Sequence, residues 1–221
     1  MEFTVRINAI SQVTHNVKCL RFEKPEHYHF VPGHATDVSI NKPDWVEEKR
    51  PFTFTALADK PYLEFTIKSY IDHDGVTNQI DQLKVGDELV ISDSWGAIEY
   101  TGEGCFIAGG AGITPFIAIL RQLHQDGKAK GNKLFFSNKT EADIIYKEEL
   151  TEILGEDVVF LVSSETSNRY QNARINEAFI NANIKDFNQP FYICGPDLMI
   201  EEISDILVNK GANPDRVVFE K

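Results

Sequence analysis

Four consecutive residues, Arg50-Pro51-Phe52-Thr53, open a run with strand character and carry a cation, an aromatic ring and a hydroxyl. On an extended chain these side chains project at alternating, neighbouring positions. Such a set can pair with a pyrophosphate, cover one face of a planar ring system and donate a hydrogen bond to a ring nitrogen. A flavin dinucleotide needs all three. Read alone, the same residues also describe a strand with a surface arginine and a core phenylalanine.

A second segment, Gly109-Gly110-Ala111-Gly112-Ile113-Thr114-Pro115, directly follows an apolar strand and precedes a helix. Glycines at such a turn let backbone approach a phosphate, and the helix start offers unpaired N–H groups at the positive end of its dipole. Thr114 is expected to cap the helix, with Pro115 in its first turn. The third glycine of the usual dinucleotide fingerprint is missing, so an ordinary strand-to-helix turn also fits.

Two further segments offer the same chemistry. Gly75-Val76-Thr77-Asn78-Gln79-Ile80 reads as a turn feeding a short helix with Thr77 as cap, about 25 residues after Arg50. It is either a second anion site or a capped helix closing the β half. Phe191-Tyr192-Ile193-Cys194-Gly195-Pro196 ends an apolar strand and starts a helix, which puts Cys194 at the edge where open parallel sheets bind ligands. A small buried hydrophobe is the alternative for Cys194. The histidines, including His27 and His29, show no metal-ligand spacing, and no Gly-x-Ser-x-Gly nucleophile elbow occurs.

These residues need elements to hold them. Runs at 3–10, 17–22, 36–40, 52–56, 63–70 and 88–91 are rich in β-branched and aromatic residues and separated by turn formers, as in a six-stranded antiparallel β-barrel. After Gly102 the pattern changes to apolar strands at 105–108, 134–137, 158–162, 191–194 and 217–219. Helices are expected near 115–125, 141–150, 175–182 and 198–208. That alternation predicts an α/β doubly wound, five-stranded parallel sheet. The expected division is therefore a barrel domain over 1–100 and an α/β domain over 101–221.

Composition narrows the function classes. With 42% hydrophobic and 25% charged residues and no low-complexity tract, the chain reads as globular. A net charge of −12 without a basic stripe argues against nucleic acid. The start, MEFTVRINAI, lacks a secretory pattern and no apolar stretch approaches the ~20 residues of a membrane span, so a cytoplasmic location is expected. Cys19, Cys105 and Cys194 show no paired spacing, so neither a disulfide framework nor a metal or iron–sulfur centre is expected. Redox chemistry would need an organic cofactor.

In this order and spacing the segments resemble the ferredoxin–NADP reductase superfamily, specifically its compact bacterial flavodoxin or ferredoxin reductase-like members. The resemblance covers nearly the whole chain: Arg50-Pro51-Phe52-Thr53 is similar to the Arg-x-Tyr-Ser/Thr flavin motif, Gly75–Thr77 to the pyrophosphate turn, Leu83-Lys84-Val85-Gly86-Asp87 and Trp95-Gly96 to the barrel's closing strand. Gly109–Pro115 is similar to the pyridine-nucleotide loop, and Cys194-Gly195-Pro196-Asp197-Leu198-Met199 to the Cys-Gly-Pro-x-x-Met motif. The resemblance implies that Arg50, Pro51, Phe52, Thr53, the backbone at Thr66, Ile67 and Lys68, and Gly75, Val76 and Thr77 hold FAD. It implies that Gly110, Gly112, Thr114, Pro115, Ser163, Ser164, Arg169, Cys194, Gly195 and Pro196 hold NADH or NADPH. Thr53, Cys194 and Glu220 are the residues it puts at the reacting centre.

The implied activity is hydride transfer from NADH or NADPH to FAD, then electron transfer to a separate acceptor protein: flavodoxin, ferredoxin or an oxygenase component. A flavin reductase using free flavin, and a non-catalytic nucleotide-binding module, are the alternatives. Phe52 stands where the family has tyrosine, the family's terminal aromatic is missing after Phe219, and no plant-type cysteine spacing for an iron–sulfur relay occurs. NADPH-using relatives follow a serine with arginine after the third parallel strand, whereas this chain has Ser164 followed by Glu165, which favours NADH.

Overall fold

The computed structural model describes residues 1–70, 75–96, 98–164, 171–172 and 174–219. Glu220, Arg169 and Glu165 lie outside the described residues.

In the front half, β1 (Glu2–Thr14), β2 (Val17–Glu23), β3 (Ala35–Ile40), β4 (Arg50–Thr53), β5 (Tyr62–Lys68) and β6 (Glu88–Ser92) form an antiparallel sheet in the order β4-β3-β6-β1-β2-β5. Alternation sets which side chains go inward: Val5, Ile7, Leu20, Phe22, Leu63, Phe65 and Ile67 fill the interior, while Arg21, Glu64 and Thr66 face outward from it. The expected strand at 52–56 is instead Arg50–Thr53. At Thr53 the chain leaves β3, and Phe54 bridges Phe65 while the Thr55 N–H bonds the Glu64 carbonyl. This corner joins the two edge strands and nearly closes the barrel. Helix α1 (Val76–Asp81) plugs one end by burying Val76 and Ile80.

In the rear half, β7 (Cys105–Gly109), β8 (Lys133–Asn138), β9 (Val158–Val162), β10 (Gln171–Asn172), β11 (Phe191–Cys194) and β12 (Val217–Phe219) are parallel, in the order β10-β9-β8-β7-β11-β12. These are the five anticipated strands plus a two-residue edge. β7 and β11 are buried at every position because helices cover both faces. Those helices are α2 (Thr114–Gln125), α3 (Lys147–Leu154), α4 (Glu177–Asn183) and α5 (Asp197–Asn209). The helix expected over 141–150 breaks in two. Thr140 and Asp143 cap a short 3-10 turn reciprocally, and Tyr146 takes a left-handed φ of 51° before α3 begins.

One face of the rear sheet, carrying Phe106, Ala108, Tyr192 and Cys194, packs into a cluster that also contains Val17 and Ile98 from the front half. The seam between the halves is therefore apolar at its base. No helix among the described residues is long and apolar enough to cross a membrane.

Candidate functional site

Strand β7 sits between β8 and β11, with its following helix on one side and that of β11 arriving from the other. The carboxyl ends of β7 and β11 thus flank the point where strand order reverses, the crevice in which open α/β sheets bind ligands. Two loops meet there. A Cβ on Gly112 would lie 2.3 Å from the Cys194 carbonyl oxygen, and one on Gly109 2.6 Å from Met199 Sδ. Gly195 packs less tightly on Gly109, its Cβ position being 3.2 Å from the Gly109 Cα. Glycine is required at Gly112, where the nearest atoms are backbone.

The two loop glycines expected to admit phosphate have different roles. Gly112 gives its space to the Cys194-Gly195 backbone, whereas Gly110 has nothing within 4 Å of its Cβ position and takes a φ of +54°. Thr114 does not cap α2: Gly110–Ile113 form a 3-10 turn, Ile113 is the N-cap position, and no side chain caps the helix. The orphan N–H groups move back into the glycine turn as a result. Pro115 is buried in the first turn, as expected. Similarly, Thr77 lies inside α1 and does not cap it; the chain enters from an extended Gly75, which leaves that helix start without a side-chain cap.

In the barrel, Thr53 is 7% exposed and its hydroxyl has no hydrogen-bond partner among the described residues. Phe52 packs partly on the interior, 6.2 Å from the Phe65 ring. The Arg50 side chain is 52% exposed, with Nη1 donating to the Lys49 carbonyl at 2.7 Å and Nη2 near Glu48 at 3.4 Å. Those local contacts are replaceable. Pro51 is exposed beside them, and Gly75, at the entry to Val76 and Thr77, has open space around it. A hydroxyl without a protein partner and open glycines at two uncapped helix starts fit a phosphate-bearing dinucleotide on each half.

Three barrel residues expected at the flavin have other engagements. Ile67 points into the barrel core. The Thr66 hydroxyl contacts Thr55 and the Tyr146 hydroxyl, each at 3.1 Å, and Lys68 Nζ donates to Asp143 at 3.4 Å across the seam. Only their backbone is left for a ligand. In the rear half, Ser163 Oγ donates to the Asn138 carbonyl at 3.2 Å, Ser164 and Pro196 are exposed, and Cys194 is 8% exposed on the face turned toward the barrel. The three cysteines are buried without disulfide bonds.

The motifs gave no sign of a charged network in the seam. Glu64, 1% exposed, accepts from Arg21 Nε at 2.6 Å, Arg121 Nη1 at 2.8 Å and the Thr55 hydroxyl at 2.9 Å. Burial pushes its carboxyl up, but the two guanidiniums and the hydroxyl outweigh that and hold it below its ordinary value of 4.5. Asp143 behaves alike: burial raises it, Thr140 and Lys68 lower it further, and it ends below 3.8.

Fold and crevice together define a two-domain oxidoreductase of the kind that joins a flavin-binding barrel to a pyridine-nucleotide-binding sheet. Residues 4–100 match the oxidoreductase FAD-binding domain and residues 106–205 the oxidoreductase NAD-binding domain. Over 98% of its length the chain is 27% identical to the propane 2-monooxygenase reductase component of Rhodococcus jostii (strain RHA1), spanning 62% of that protein. It is 27% identical to cytochrome b5 reductase 4 of Xenopus tropicalis, spanning 46% of that protein. A ferredoxin NADP+ reductase from Neisseria gonorrhoeae, solved with bound FAD and NADP, superposes with a TM-score of 0.83 at 17% identity, over 95% of this chain and 92% of that one. The chain therefore joins an oxidoreductase FAD-binding domain to an oxidoreductase NAD-binding domain, in the fold that the Neisseria ferredoxin NADP+ reductase also adopts.

Proposed function

We propose that this protein takes hydride from NADH onto FAD and passes the electrons to a separate acceptor protein, with residues 1–100 as the FAD domain and 101–221 as the nucleotide domain. The observation that carries the reading is the paired glycine loops at the sheet's switch point, with Cys194 on the face that meets the barrel. Bound FAD supplies the two-electron acceptor that can release electrons singly.

The chain's own residues position and neutralise. Arg50, now beside Glu48, would pair with the pyrophosphate of FAD, and the backbone at Gly75, Val76 and Thr77 would donate to it. Thr53 would donate a hydrogen bond to the hydride-accepting ring nitrogen, and Phe52 would cover one face of the ring. Gly110 would admit the nicotinamide dinucleotide's phosphates to the start of α2, while Cys194 would pack beside the nicotinamide and exclude water. Neither Thr53 nor Cys194 acts as a nucleophile. Ser164, followed by the carboxylate of Glu165, suits a ribose hydroxyl better than a phosphate.

Steady-state oxidation of NADH and NADPH by the FAD-loaded protein, against flavodoxin, ferredoxin, cytochrome b5 and free FMN as acceptors, tests this reading. We expect higher kcat/KM with NADH and with a protein acceptor. Turnover with free FMN alone would overturn it in favour of a flavin reductase.

A further inference from the structure

The seam network is built around one side chain. Arg121 lies on α2, seven residues after Thr114, or roughly 10 Å along the helix. Its guanidinium is divided evenly between the halves. Nη1 donates to the Thr55 carbonyl at 2.7 Å and to Glu64 at 2.8 Å in the barrel, while Nε and Nη2 grip Glu149 of α3 at 2.6 and 2.9 Å. It also lies 4.9 Å over the ring of Tyr146, whose hydroxyl reaches Thr66.

Both anchor points are next to the chemistry. Thr55 is two residues from Thr53, and Thr66 and Glu64 are on β5. On the other side, α2 grows directly out of the turn Gly110–Ile113. A stiff helix thus connects the nucleotide loop to a clamp that places two of its four hydrogen bonds on the barrel and two on α3. Tyr146, at a left-handed φ of 51°, reaches across the seam to Thr66.

We propose that Arg121 is a positioning residue for hydride transfer, fixing the distance between the two rings by locking α2 to the barrel at Thr55 and Glu64. The proposal rests on the function given above. Hydride transfer requires reacting atoms in near contact, and a misplacement of about 1 Å costs on the order of 10²-fold in rate. A loss of Arg121 that loosens the seam should therefore lower the limiting rate of transfer more than the affinity for either dinucleotide.

Cys19 reports on the seam independently of activity. It is 4% exposed on the outward side of β2, paired in register with Thr66, whose hydroxyl contacts Tyr146, so it becomes reachable when the halves part. Cys105 is buried in the rear sheet and becomes reachable only on unfolding.

The test compares wild type, Arg121→Met, Arg121→Lys and Tyr146→Phe as FAD-loaded proteins. Stopped-flow flavin reduction gives the limiting rate and the NADH dissociation constant; alkylation with peptide mapping gives the labelling rates of Cys19 and Cys105. For Arg121→Met we expect a limiting rate ~10–100-fold lower, an NADH dissociation constant within about threefold, and Cys19 labelled ~10-fold faster with Cys105 still protected. Arg121→Lys should recover part of the rate, and Tyr146→Phe should lose about two- to fivefold.

Limiting rates within twofold of wild type in Arg121→Met would overturn the proposal. If that variant does not fold, wild-type rates and wild-type Cys19 protection in both milder variants overturn it instead. Should wild type itself fail to bleach with NADH, the function reading fails. Unchanged Cys19 protection in Arg121→Met would then separately dismiss the clamp.

Discussion

Replacing Gly112 with alanine puts a methyl group where the structure has a neighbouring backbone. The new Cβ would stand 2.3 Å from the Cys194 carbonyl oxygen and 2.6 Å from the Gly195 nitrogen. Carbon and oxygen normally approach no closer than about 3.3 Å, so the two loops must separate by about 1 Å. Neither can yield cheaply, because Cys194 is paired in register with Ala108 and the glycine turn leads straight into α2. Overpacking against backbone lies toward the upper end of the usual range, about 3 kcal/mol of stability. The same displacement moves the nicotinamide contacts and should slow flavin reduction on the order of 10²-fold, about 2.7 kcal/mol of barrier. Gly110→Ala is the control for stability: its Cβ meets no protein atom, so only the left-handed φ of +54° destabilises the fold, by about 1–2 kcal/mol. Urea unfolding and stopped-flow reduction of both variants, FAD-loaded, decide the matter. Gly112→Ala with wild-type stability and rate would refute the loop-to-loop contact as the element that builds the crevice.

Three further expectations can be checked with the same preparations. Thr53→Ala should retain FAD yet reduce it ~10–100-fold more slowly, about 1.4–2.7 kcal/mol, since only a hydrogen bond to the reacting ring is lost; wild-type stopped-flow rates would make Thr53 ordinary packing. Arg50→Ala should weaken FAD binding by about 1.5–3 kcal/mol, measured by fluorescence titration of the apoprotein, and unaltered affinity would move the pyrophosphate elsewhere. Glu64 and Asp143 are held below their ordinary values of 4.5 and 3.8, so their contribution is complete above those values and is lost as pH falls through the lower folded ones. The urea midpoint should therefore be level from neutral pH to about pH 5 and fall below about pH 4. Glu64→Gln should destabilise by about 3 kcal/mol at neutral pH and flatten the acid limb, and an unchanged acid limb would remove Glu64 as its source.

What the sequence discloses here depends on how locally each feature is determined. The strand 105–109, the glycine turn and Pro115 are legible because an apolar run, glycines and a helix-starting proline act within a dozen residues. Arg50-Pro51-Phe52-Thr53 is legible as a set of chemistries, although its strand ends earlier than expected because Phe54 turns inward to close the barrel on β5. The caps at Thr77 and Thr114 were misplaced for a related reason. An extended Gly75 in one case and a 3-10 turn in the other decide where each helix starts, and both depend on what the loop packs against. The seam could not be read at all. Arg121 and Glu64 are 57 residues apart in different domains, and each looks like an ordinary polar position on its own amphipathic element. Nor does any local signal mark Tyr146 as left-handed; its ring is drawn across to Thr66 by the tertiary contact.

The central claim is that the crevice brings a nicotinamide into hydride contact with a flavin held by the barrel. Anaerobic stopped-flow mixing of the FAD-loaded protein with NADH, and with NADH deuterated at the transferred position, tests this most directly. The account predicts saturable bleaching of the flavin's visible absorbance, slowed by deuterium and faster with NADH than with NADPH. Flavin that stays oxidised under saturating concentrations of both nucleotides would contradict it.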